Sequence, residues 1–119
     1  MKYNRNEAFR FSFSPPLPGF FSIIKVHNQD YESRIGTMSV LDISPRGVKF
    51  QSNLELHENA DFELLLTLKL NGHLIELQGK VIWKQGGSSS YVYGFTLNED
   101  ARLEEVIVRE LKAYNKGNI

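Results

Sequence analysis

Leu64, Leu66, Leu68 and Leu70 alternate with Glu63, Leu65, Thr67 and Lys69, and Asn71-Gly72 follows at once. Alternation at period two puts one set of side chains on one face of a strand. Asn-Gly suits a two-residue hairpin turn, because both central residues need positive φ. The return strand carries Ile75, Leu77, Val81 and Trp83 on one face and Glu76, Gln78, Lys80 and Lys84 on the other. Gly79 within it marks a bulge or a close approach of backbone. This hairpin commits the chain to antiparallel β structure.

The rest of the chain extends that pattern. Phe9, Phe11 and Phe13 alternate with Arg10 and Ser12, giving an arm that enters an extended segment. Pro15, Pro16 and Pro18 with Gly19 are expected to stop it. Phe20–Val26 reads as a strand, His27–Asp30 as a turn-rich loop, and residues 34–43 as the start of the next strand. Tyr91, Tyr93, Phe95 and Leu97 give a last strand after the flexible loop Gln85–Ser90. The period then changes. Leu103, Val106, Ile107, Leu111 and Tyr114 fall at helical spacing, predicting a helix over about 99–115 capped by Asn98 or Asp100. About six antiparallel strands and one C-terminal helix result. Short strands with tight turns favour a small barrel, which removes sheet edges, with the helix over an open end.

The chain's 119 residues suffice for one domain with one core. We expect a flexible arm over 1–14 and a single domain over 15–119. No cysteine is present, which excludes disulfides and thiolate metal sites and fits a reducing cytoplasm. No run approaches a membrane span, and the N-terminus lacks the apolar core of a signal peptide. The net charge of zero argues against a nucleic-acid polymer as partner. It is unevenly placed: seven basic and four acidic residues stand in 1–50, against seven and ten afterwards. The positive half suits an anionic ligand. His27, His57 and His73 sit apart in turn-like segments, so no metal site is expected.

Asp42-Ile-Ser-Pro-Arg-Gly47 lies between two strand-like runs and reads D-x-S-x-x-G. Asp42 and Ser44 are two apart and project from one face of an extended segment. Pro45 and Gly47 turn the chain just behind them. Two readings are open. The carboxylate and hydroxyl can bond the local backbone as Asx and Ser turns. They can also present a carboxylate and a hydroxyl side by side to a ligand.

Together with Arg5 and Arg10 upstream, and Gly79-Lys-Val-Ile-Trp83 and Tyr93-Gly-Phe-Thr96 downstream, this element resembles the PilZ domain, the bacterial receptor domain for cyclic di-GMP. The resemblance covers nearly the whole chain. It implies a six-stranded antiparallel β-barrel with a C-terminal helix. The family's R-x-x-x-R is matched at its last arginine by Arg10 and at an optional preceding arginine by Arg5, while Asn6 stands where its first arginine is expected. By resemblance these arginines clamp phosphates and guanine edges, chemistry that guanidinium forks suit. Asp42, Ser44 and Gly47 would seat the ligand. Arg46 either reaches a phosphate or is a solvated turn residue. Trp83 resembles a family position on the barrel wall, where core packing is expected.

The resemblance implies a cytoplasmic receptor, not an enzyme, with no cofactor beyond the ligand cyclic di-GMP. The arm would close over the ligand and present a new surface to an unidentified effector protein in trans. A monomer or weak dimer without membrane insertion is expected. The alternative keeps the fold as a protein-interaction adaptor in which nucleotide binding is lost or weakened, with Arg5 and Arg10 ordinary arm residues. A barrel binding single-stranded nucleic acid would need a basic groove with exposed aromatics.

Overall fold

The structure, a computed structural model, describes residues 10–56 and 61–117. Its strands are β1 (Phe11–Val26), β2 (Gln29–Asp30), β3 (Gly36–Ser44), β4 (Gly47–Ser52), β5 (Phe62–Leu70), β6 (His73–Gly86) and β7 (Tyr91–Leu97). One helix, α1 (Ala101–Gly117), follows. The sheet runs β2-β1-β3-β4-β7-β6-β5, and β1 also pairs with β5. That last pairing closes six antiparallel strands into a barrel. The short β2 is a hairpin extension of β1, turned by His27 and Asn28 at φ 50° and 64°.

The leucine alternation places Leu64, Leu66, Leu68 and Leu70 inside, facing Ile75 and Leu77 of β6 and Phe50, Tyr93 and Phe95 of β4 and β7. Truncating one such leucine to alanine costs about 2–5 kcal/mol. The turn between β5 and β6 has Asn71 at φ 56° and Gly72 at φ 79°, as the Asn-Gly pair requires. Gly79 is a close approach: a Cβ there would lie 1.9 Å from the Thr96 carbonyl oxygen. Tyr93 is fully buried, and its hydroxyl donates to the Leu54 carbonyl and accepts from the Leu56 amide, each at 2.7 Å.

The start of the barrel departs from the sequence reading. The prolines do not end the first extended segment; β1 runs through Pro15, Pro16 and Pro18. The β1–β3 ladder is interrupted between Ser12 and Leu17, and the β1–β5 ladder starts only at Gly19. Pro15 and Pro16 therefore stand where no amide is asked to donate. Phe11 and Phe13 belong to the barrel rather than to an arm ending at residue 14, and Phe13 is buried. Their rings pack on each other and on Tyr114 of α1, with centroids 5.1–5.4 Å apart.

Helix α1 starts two residues later than expected at its earliest bound, because Asp100 is the cap: its Oδ1 accepts the Leu103 amide at 3.1 Å. Asn98 instead donates to Glu63. Ile107 and Leu111 are fully buried, and Leu103 and Tyr114 partly so. Glu110 is buried in the same stripe. Its carboxylate accepts Asn71 Nδ2 at 2.8 Å and lies 2.9 Å from His73 Nδ1. The helix is thus tied to the β5–β6 turn through Glu110, whose main-chain carbonyl also accepts Asn71 Nδ2 at 2.8 Å. The Asn71 hydrogen bond, then the His73 hydrogen bond and the charges of His73 and Arg109, hold the Glu110 carboxyl below its ordinary range against desolvation.

Candidate functional site

Two register shifts build the site. In β3 and β4, Val40 pairs with Phe50 but Asp42 pairs with Lys49, so Leu41 is an extra residue. In β6 and β7, Val81 pairs with Phe95 but Trp83 pairs with Gly94, so Ile82 is extra. A bulge moves the residues beyond it to the opposite face. Asp42 and Ser44 therefore leave the side on which Val40 is buried, and Trp83 leaves the side of Val81. The expected core tryptophan is 38% exposed on the outer wall.

The shifted residues fall into one cross-strand row. Ser12 pairs with Asp42, Asp42 with Lys49, Lys49 with Gly94, and Gly94 with Trp83. Ser44 and Gly47 pair with each other one step along, across the Pro45-Arg46 turn, and Gly47 with Thr96. A pocket of 470 Å³ opens over this surface and is lined by Arg10, Asp42, Ser44, Arg46, Lys49 and Trp83 among others. Small-molecule sites are commonly about 300–1,000 Å³. Gly94 has no side chain in the middle of the row, and the indole uses that space: a Cβ on Gly94 would lie 2.0 Å from Trp83 Nε1.

Pairing of Ser12 with Asp42 brings Arg10 over the row. Arg10 Nη1 donates to Asp42 Oδ1, and Lys49 Nζ stands 3.6 Å from Asp42 Oδ2. Asp42 is only 6% exposed. A carboxylate so far from water needs opposite charge or donors, and both oxygens have it. The Arg10 side chain is 53% exposed and Lys49 is 42% exposed, so each cation is open on its outer side. Ser44 is buried, and its hydroxyl donates to the Gly47 carbonyl at 3.4 Å, near the limit of a hydrogen bond. Ser44 closes a local turn weakly, and Asp42 faces cations from other strands.

Arg46 reaches from the turn toward α1, with Nη2 3.9 Å from Glu99 and Nε 3.8 Å from Glu104. Gly47 is not at positive φ; its constraint is space, since a Cβ would meet the Phe95 carbonyl oxygen at 3.0 Å. Arg5 and Asn6 lie outside the described residues, as does His57. Among the expected site residues, the structure brings Arg10, Asp42, Ser44, Arg46 and Gly47 to one pocket. Lys49 and Trp83 join them. The sequence signal for Lys49 was its place two residues past Gly47, on the outward phase of β4. Asp42, Arg10, Lys49 and Arg46 give a net positive lining that can take an anion, and the indole offers a flat face to a ring.

Among the described residues no group of three or more His, Asp or Glu could hold a metal ion. No helix among them is long and apolar enough to cross a membrane.

The family model of the PilZ domain matches residues 4–113. None of the curated proteins compared with the chain matches it. Among solved structures, the crystal structure of the PilZ domain of CeSA from a cellulose synthesizing bacterium has a similar fold, with a TM-score of 0.58 and 15% identity. The match covers 85% of this chain and 92% of that one.

Proposed function

This chain belongs to the PilZ domain family, and on that premise we propose that it is a cyclic di-GMP receptor acting on a partner protein in trans. The observation that carries the reading is the convergence of Arg10 and Lys49 on the buried carboxylate of Asp42. Both cations are held at the pocket with one side open, ready to exchange Asp42 for a phosphodiester. Asp42, once released, is free to accept two N–H donors from a guanine edge. Trp83 supplies a face for the base. Arg10 and Lys49 against Asp42 leave a positive charge in excess at the row, and Arg46, which stands near Glu99 and Glu104, adds a further cation to the lining, as a ligand with two phosphodiesters requires. Lys49 supplies charge that the family pattern would place at Asn6. No catalysis and no further cofactor belong to this reading, and it places the domain in the cytoplasm.

Calorimetric titration tests it. Cyclic di-GMP should bind in the micromolar range or weaker, and GTP and cyclic di-AMP far more weakly. A second reading, favoured by Asn6, keeps the Arg10–Asp42 contact as a permanent structural pair and makes the domain an adaptor. Absence of heat with millimolar cyclic di-GMP supports that second reading.

A further inference from the structure

On α1, Arg102, Glu105, Arg109, Lys112 and Lys116 recur at intervals of three and four. That spacing sets them in one stripe, on the side away from buried Ile107 and Leu111, and all five are exposed. Four of the five are cations. None of the four makes an ion pair with a described residue, as is also true of the scattered Lys25, Arg34 and Lys69, whereas Arg10, Arg46, Lys49, Lys80 and Lys84 each stand near a carboxylate. The helix dipole accounts for a cation such as Lys116 in the last turn but not for Arg102 in the first. The lower end of the stripe enters a 620 Å³ groove between α1 and the start of β1, lined by Arg10, Phe11, Lys112, Ala113, Asn115 and Lys116. Arg10 thus lines this groove and the Asp42 pocket alike.

We propose that the α1 stripe and its groove are the docking surface for an acidic segment of a partner protein, and that Arg10 is shared between that segment and the ligand pocket. The chemistry selects this occupant. From Arg102 to Lys116 the stripe runs about 21 Å, the length of a short peptide segment. Glu105 interrupts it and the chain has no net charge, which disfavours a nucleic-acid polymer. The stripe itself has no large apolar side chain to enter a bilayer: Leu103, Ile107, Leu111 and Tyr114 pack on the barrel, and only the half-buried Val106 and Val108 flank the stripe. Charge complementarity with an acidic segment remains, as at steered protein interfaces. Because one guanidinium serves both sites, ligand and segment compete for it. Ligand binding then weakens the partner, and the partner weakens the ligand by the same factor. This coupling rests on the cyclic di-GMP reading; the docking surface does not.

The test uses a fluorescein-labelled oligo-glutamate peptide and fluorescence anisotropy on the full chain. Saturable binding is expected at low salt, lowered about tenfold or more by Lys112→Glu with Lys116→Glu. The same charge change placed elsewhere, Arg34→Glu with Lys69→Glu, should keep affinity within about twofold. Thermal unfolding of both double variants checks that the fold is retained. Saturating cyclic di-GMP should weaken peptide binding about fivefold in the natural chain and leave Arg10→Ala unaffected. Equal loss in the two double variants, or no saturable binding, overturns the docking surface. So does equal binding of an oligothymidylate or of anionic lipid vesicles through Lys112 and Lys116. Peptide binding that ignores bound cyclic di-GMP overturns the shared arginine. If calorimetry finds no cyclic di-GMP binding, the receptor reading and with it the coupling fail, while the peptide titrations still decide the surface.

Discussion

Asp42 and Trp83 stand in one cross-strand row of the barrel wall, joined through Lys49 and Gly94, and each reaches it by a bulge at the residue just before it. The two bulges do the same thing on β3 and β6, which have β4 and β7 between them in the sheet. Each turns a residue of an otherwise inward phase onto the outer face. A carboxylate with its cations then lies at one end of the row and an indole at the other, with glycine between them.

Lys49 is the cation that the sequence pattern does not announce. Lys49→Met keeps the stem that packs along the strand and removes the charge. Affinity for cyclic di-GMP should fall about tenfold to a hundredfold, the range for a charge-assisted contact of roughly 1.5–3 kcal/mol. The salt dependence of binding should flatten as well, since one phosphate contact is lost. Calorimetry at two salt concentrations reads both. Because Lys49 is 42% exposed, its loss should change stability by about 1 kcal/mol at most.

Trp83 is the chain's one tryptophan, so its fluorescence reports on the pocket directly. Ligand seated over the row should quench or shift that emission. Gly94→Val should displace the indole, because even a Cβ would stand 2.0 Å from Nε1. The variant should show an altered emission maximum without ligand and weaker binding, with far-ultraviolet circular dichroism retained. An emission spectrum identical to that of the natural chain would contradict the stacking of Trp83 on Gly94.

Much of this architecture was legible in the sequence. The leucine alternation and Asn71-Gly72 define the β5–β6 hairpin because burial on one face and a positive-φ turn are local demands. Asp42 and Ser44 were correctly placed together, since both lie beyond the same bulge. The sequence period sets Trp83 on the face of Val81, but the ladder slips between them, and pairing with Gly94 is set by a distant strand. The prolines of β1 look like stops in the sequence, which does not reveal which amides lack a partner. Glu110 left a trace: it sits at stripe spacing between Ile107 and Tyr114, where a charge needs a buried partner. That partner is the hairpin turn, which no local pattern on the helix names.

Glu110 makes stability depend on acid pH. Its folded pKa is lowered below the ordinary value of 4.5, chiefly by Asn71 and then by His73, with Arg109 adding to the effect. The stabilisation is therefore complete above 4.5 in pH and is lost as pH falls through the lower folded value. Glu110→Gln keeps an acceptor for Asn71 but loses the charge. It should cost about 1–2 kcal/mol at neutral pH and converge on the natural chain in acid. Urea unfolding at neutral pH and in acid checks the sign; a gap that widened in acid would contradict it.

The central claim is that cyclic di-GMP is held on the row from Asp42 to Trp83, and amide-shift mapping tests it most directly. Titration of isotope-labelled protein with cyclic di-GMP should move the amide signals of Asp42, Ser44, Lys49 and Gly94 and the indole N–H of Trp83 together. The same titration of Arg10→Ala should need about tenfold to a hundredfold more ligand. Shifts confined to another face of the barrel, or none with millimolar ligand, would contradict the account.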